Sequence, residues 1–181
     1  MIWFYYKNNG RVTAALVYDL IVNSHLIPCE DKLMAGLWDL CFPLKIKCFV
    51  WLALKNQILT WDNLVGRGWH GPGRCGLCLL GEDSVQHLFV DCSVTKYIFA
   101  ALGNLYHYKL LVSDAPIVEF LESEERLNSH HYYTPFFVFW CIWNARNKAI
   151  FEEKIISPSV LTNKVNLLIH RSPVMERRNT I

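Results

Sequence analysis

Cys75, Cys78, His87 and Cys92 stand in the pattern Cys-x2-Cys-x8-His-x4-Cys, which supplies three thiols and one imidazole at the spacing of zinc ligands. Four protein ligands complete a tetrahedron and leave no open position at which water or substrate would be activated. The expected centre is therefore structural and takes one zinc ion. No spare Glu is placed as a general base for catalytic zinc, Glu82 being the nearest candidate. Cys75-Gly76-Leu77-Cys78 lacks the βαβ surroundings that a dithiol redox pair requires. His70, five residues before Cys75, is the alternative imidazole, but His87 stands beside Leu88-Phe89, an apolar pair that would dock its ring. His25, His107, His130, His131 and His170 have no ligand-like partner at short range.

The elements around these residues must hold a loop against a helix. Glycines flank the first pair in Gly71-Pro72-Gly73-Arg74-Cys75-Gly76-Leu77-Cys78, where they are expected to supply the positive φ angles of a tight thiolate turn. The second pair falls in a predicted helix from Ser84 to Cys92, continuing to Leu102 with Tyr97, Ile98, Phe99 and Leu102 inward and Gly103 at its end. Upstream, Thr13 is expected to cap a helix over Ala14 to Val22, and Pro43 to open an amphipathic helix from Leu44 to Ile58. Thr60 reads as the cap of a short helix, Trp61 to Val65, ended by Gly66 and Gly68. Downstream, Asp114 would cap a helix over Pro116 to Leu127, whose acidic residues make a solvated face. Thr134-Pro135 opens an aromatic-rich helix to about Glu153, and Ser157-Pro158 caps a last one carrying Leu161, Val165, Leu168 and Ile169 on one stripe. The fold class is mainly α: an irregular helical domain with a CCHC zinc-knuckle-like loop, followed by a short C-terminal helical extension.

Composition narrows the function. At 181 residues with 52% apolar and 14% aromatic content, the chain can bury a real core. Its seven tryptophans bring so much apolar surface that a covering partner is expected. Trp38, Trp51, Trp61 and Trp69, at helical spacing, read as core residues and not as stacking platforms. The formal charge is +2; a divalent ion on three thiolates adds 2 − 3 = −1, leaving about +1, which is no basic footprint for nucleic acid. The cysteine count is odd, and Cys29, Cys41, Cys48 and Cys141 lie among apolar neighbours, so they read as buried free thiols. The start at Met1 has no charged segment before its apolar residues and no small-residue cleavage signal. These features point to an intracellular protein of nucleus or cytoplasm, neither secreted nor in a membrane. The longest apolar stretch, Pro135 to Trp143, falls short of the roughly 20 residues that span a bilayer.

In order along the chain, the landmarks resemble the zinc-binding domain that follows the reverse transcriptase in plant non-LTR, LINE-type retrotransposons. The resemblance is carried by Trp3, Asn9-Gly10, Thr13 and Tyr18; by Trp38, Pro43-Leu44-Lys45 and Phe49-Val50-Trp51; and by Leu59-Thr60, Asn63-Leu64 and Arg67-Gly68. It continues through Cys75, Cys78, Glu82, His87-Leu88-Phe89 and Cys92, and covers roughly residues 1 to 100. Trp140-Cys141-Ile142-Trp143-Asn144-Ala145-Arg146-Asn147 is similar to a segment that trails this domain ahead of an RNase H-like region. From the residues alone, Arg146-Asn147 reads as a polar helix face or a cap for a neighbouring helix.

The resemblance implies a reverse-transcriptase-type zinc-binding domain over 1–103, a helical extension or linker toward an RNase H-like region over 104–173, and a frayed tail over 174–181. No Tyr/Phe-x-Asp-Asp polymerase signature and no strand-borne acidic set for paired magnesium occurs, so the expectation is a non-enzymatic fragment of a retroelement without a small-molecule substrate. The implied role is RNA or DNA handling, with Lys45, Lys47, Arg67 and Arg74 as the phosphate-contacting candidates flanking the knuckle. Two alternatives stand beside it. One is a scaffold that packs on a reverse transcriptase or a parent polyprotein, and the other is an inactive remnant.

Overall fold

Pro43 cannot donate a backbone hydrogen bond, and it sits at the N-cap of the first helix described, α1 (Leu44–Leu54). The structure is a computed structural model and describes residues 37–38, 43–71, 73–106, 117 and 133–171. The expected helix over 14–22, all of that over 116–127 except Ile117, the N-terminal landmarks up to Tyr18, Cys29, Cys41 and the tail lie outside the described residues. α1 buries Ile46, Phe49, Val50 and Ala53 on one face, as the three- and four-residue steps require.

It ends at Leu54, four residues before the expected Ile58. The cause is Asn56, which takes φ 52. Asparagine tolerates this left-handed position, so the Asn56 N–H donates to the Ala53 carbonyl at 3.0 Å and the Gln57 N–H to that of Leu52 at 2.8 Å. This is a Schellman closure. The Asn63 side-chain amide then braces the turn by donating to the Asn56 and Ile58 carbonyls at 2.9 and 3.0 Å.

α2 (Trp61–Val65) follows and carries Asn63. Thr60 occupies its N-cap position, but its hydroxyl makes no capping bond. Val85 and Gln86 begin a helical turn that widens into a π-helical turn, His87–Asp91. Its end at Cys92 is extended, with ψ 130, so α3 (Ser93–Tyr106) is a separate helix and not a continuation. Ile98, Phe99 and Leu102 are buried as expected, whereas Tyr97 is 52% exposed and Gly103 lies inside the helix. α4 (Thr134–Phe151) and α5 (Pro158–His170) both have proline in the first turn. α5 presents Leu161, Val165 and Ile169 inward, with Leu168 half-buried beside them. Ser157 is its N-cap residue, again without a side-chain capping bond.

All described elements except α2 contribute to one buried cluster running from Leu37 to Ile169. Its centre is aromatic: the Phe89 and Phe139 rings lie 4.7 Å apart, and Phe99 meets Phe139 edge-on at 6.3 Å. Phe49 faces Trp140 at 5.4 Å and Trp143 at 5.9 Å. α4 is therefore the spine against which α1, the π turn, α3 and α5 pack. Among the described residues there is no strand, only an isolated antiparallel bridge between Arg74 and Glu82, and no helix is long and apolar enough to cross a membrane.

Candidate metal centre

The Arg74–Glu82 bridge closes a small hairpin from which two sulfurs project. The Cys75 N–H donates to the Gly81 carbonyl at 2.8 Å, the Asp83 N–H to that of Gly73 at 2.9 Å, and the Leu79 N–H to that of Cys75 at 3.0 Å. The positive φ in this turn belongs to Leu79, at 60°, and not to the glycines; among the described glycines only Gly68 is left-handed. The glycines of the hairpin serve close approach instead. A methyl group on Gly73 would meet Cδ1 of Trp61 at 2.4 Å, and one on Gly81 would meet Cε1 of His87 at 2.1 Å. At Gly76 it would fall 3.4 Å from Ile150 Cγ1, so the end of α4 abuts the knuckle.

The other two groups come from the π turn. At 100° per residue, an α-helix would place His87 and Cys92, five apart, about 140° apart on its surface. The wider π turn, closed by the Cys92 N–H donating to the His87 carbonyl at 2.7 Å, brings both to the hairpin. Ser84 starts it, its hydroxyl accepting from the His87 N–H at 3.1 Å. The Thr95 hydroxyl anchors it to α3 by donating to the Leu88 carbonyl at 2.7 Å.

The ligand atoms of Cys75, Cys78, His87 and Cys92 all lie within 4.8 Å of one another. Cys78 Sγ is 3.2 Å from His87 Nε2, and the Cys75 and Cys92 sulfurs are 4.0 Å apart. A tetrahedral zinc ion bonded at about 2.3 Å to sulfur and 2.0 Å to nitrogen requires roughly 3.8 Å between sulfurs and 3.5 Å from sulfur to nitrogen. The donor set and its spacing fit such an ion. Cys75 and Cys92 are fully buried. The hydrogen bond from the Cys92 thiol pulls Cys75 down to about 5, while that same bond and burial push Cys92 up. His70 is exposed and lies outside the group of four. Cys48 and Cys141 are free thiols, and burial pushes Cys141 up to about 11.

A buried ion pair braces the site from outside the four ligands. Asp83, next to the bridge, is buried and ion-paired with Arg146 of α4. Arg146 Nε donates to both carboxylate oxygens at 3.2 Å, its Nη2 donates to Oδ2, and its Nη1 donates to Asn147 Oδ1 at 3.0 Å. The guanidinium carbon lies 5.0 Å from the centre of the Trp143 ring. Asp83 also caps α2 in place of Thr60, since the Trp61 N–H donates to Asp83 Oδ2 at 3.0 Å and to its carbonyl at 2.9 Å. Neither a solvated helix face nor a simple cap describes Arg146. An arginine amid the apolar residues of α4 was the available signal, because a buried guanidinium demands an acid.

The basic candidates separate. Lys45 is exposed on α1, its ammonium 5.6 Å from the Trp140 ring centre, and Lys47 donates to the Trp38 carbonyl at 2.6 Å. Arg67 and Arg74 are exposed, without an ion-pair partner among the described residues. Trp38, Trp51 and Trp61 are half-buried, but Trp69, between these two arginines in the chain, is 63% exposed and is not a core residue.

Residues 14–99 match the family described as zinc-binding in reverse transcriptase. That segment contains all four clustered residues and supports a reverse-transcriptase zinc-binding domain here. No curated protein and no solved structure matches the chain.

Proposed function

We propose that this chain is a non-catalytic retrotransposon-derived domain, of plant LINE type, in which Cys75, Cys78, His87 and Cys92 hold one structural zinc ion and the surrounding surface binds RNA or DNA. The convergence of four zinc-type donors within 4.8 Å carries the metal part of this reading. With all four positions taken by protein, zinc supplies binding energy and shape and does no Lewis-acid chemistry. The nucleic-acid part is supported by the family match and by the exposed run Arg67, Trp69 and Arg74, which offers two cations for phosphate and an indole for a base. Lys45 is the remaining exposed cation of the four candidates, its ammonium over the Trp140 ring; Lys47 is engaged with Trp38.

A second reading is supported by the exposed apolar residues at the knuckle and beside it. Leu79, Leu80, Ile150, Phe151 and Ile155 are each at least 42% exposed, and would suit a scaffold packed on a polymerase.

Two measurements on the purified full chain test the proposal. Zinc should be present at one ion per chain, and its removal, or Cys75→Ser, should unfold residues 71–95, because structural zinc contributes on the order of 10 kcal/mol to such loops. Unchanged circular dichroism and proteolysis after complete chelation would count against it. Affinity for short RNA or DNA should fall steeply with added salt as phosphate contacts require, whereas apolar association with a polymerase would hardly change.

A further inference from the structure

We propose that Arg146 is the positioning residue of the metal centre, so that the unit which holds the ion reaches into α4, beyond the segment matched by the family. This rests on the zinc reading given above. Asp83 joins three parts of the molecule. Its N–H closes the hairpin onto Gly73, its carboxylate and carbonyl cap α2, and its carboxylate is gripped by Arg146. The hairpin that Asp83 closes is the one that presents Cys75 and Cys78, and Gly81, two residues earlier, must stay within touch of the His87 ring.

Asp83 and Arg146 are both nearly inaccessible, with side chains 2% and 4% exposed. Such a pair is costly to break, because removing one partner leaves the other buried and uncompensated. It is also directional. The guanidinium meets both carboxylate oxygens while Trp143 covers its face, which fixes the rotation of Asp83 and hence the base of the hairpin. The pair bonds none of the four ligands directly and acts on them through the hairpin that Asp83 closes.

The test uses the zinc-loaded full chain and measures the rate of zinc transfer to a chromophoric chelator, with cobalt substituted in parallel so that its visible spectrum reports tetrahedral geometry. Arg146→Met and Asp83→Asn should each speed transfer by about tenfold or more, and weaken the tetrahedral cobalt bands. Arg146→Lys should fall between, since an ammonium keeps the charge but not the two-pronged grip. The double variant should be no worse than the worse single one, because the two groups act as a unit. Val165→Ala, in the buried stripe of α5, is the control for lost stability: it should lower the melting temperature and leave the transfer rate unchanged.

If Arg146→Met releases zinc at the parent rate, or Val165→Ala speeds release equally for the same loss of melting temperature, Arg146 is only a stabilising residue and the proposal fails. Should Arg146→Met not fold, Arg146→Lys and Asp83→Asn decide the matter, and parent-like rates in both overturn it. A parent protein that carries no zinc would instead sink the zinc reading itself, a result distinguishable because it needs no variant.

Discussion

A methyl group on Gly81 would sit 2.1 Å from Cε1 of His87 and 2.4 Å from Nδ1, closer than any real contact. Either the ring or the hairpin must give way. Gly81→Ala is therefore expected to displace the imidazole and weaken zinc binding by about tenfold or more, read by competition with a chelator of known affinity. Parent-like affinity would mean that His87 is not a ligand. At this scale the sequence was legible where a residue's chemistry is carried by near neighbours: the four clustered residues stood out by type and spacing. It was opaque where the partner is remote. The apolar run around Arg146 hints at burial, but its partner Asp83 lies 63 positions away and cannot be read from the neighbours. Nor does composition separate Trp69, which is exposed, from Trp61, which lies against Gly71 and Gly73. Leu79 is a further case, because a branched residue at φ 60 costs about 1–2 kcal/mol that no propensity scale would place there.

Among the elements, apolar periodicity located α1, α4 and α5 to within a few residues, because each lays one continuous stripe or belt on the common core. The departures occur where a local hydrogen bond overrides that rhythm. Asn56 cuts α1 short, Asp83 replaces Thr60 as the cap of α2, and the π turn interrupts what reads as a single helix from Ser84 to Leu102. That interruption hangs on few contacts. Thr95→Val keeps the shape but leaves the buried Leu88 carbonyl without the hydroxyl it accepts from, at a cost of about 1–3 kcal/mol. The expected outcome is a lower thermal midpoint together with faster zinc loss, since the same turn carries His87 and Cys92. A lower midpoint with unchanged zinc retention would show that the turn holds its form without α3.

Taken whole, the molecule has its core on both sides of residue 103. Phe49 and Phe89 of the N-terminal part meet Trp140, Trp143 and Phe139 of α4, and the Tyr106 hydroxyl at the end of α3 donates to Asn166 of α5. A chain truncated after Tyr106 is expected to lose near-ultraviolet dichroism and resistance to proteolysis even with zinc supplied, because Phe49, Phe89 and Phe99 would lose the aromatic rings of α4 that they pack against. Native-like signals from that fragment would mean that the metal alone suffices to order it.

The spacing of the contacts also sets an order of events during synthesis. The Cys75–Cys92 contact spans 17 residues, whereas the Asp83–Arg146 pair spans 63. The longer closure carries about 1 kcal/mol more chain entropy, and its second partner leaves the ribosome later. The nascent hairpin can thus capture its ion early and remain half-fastened, until translation of α4 delivers the guanidinium that locks it.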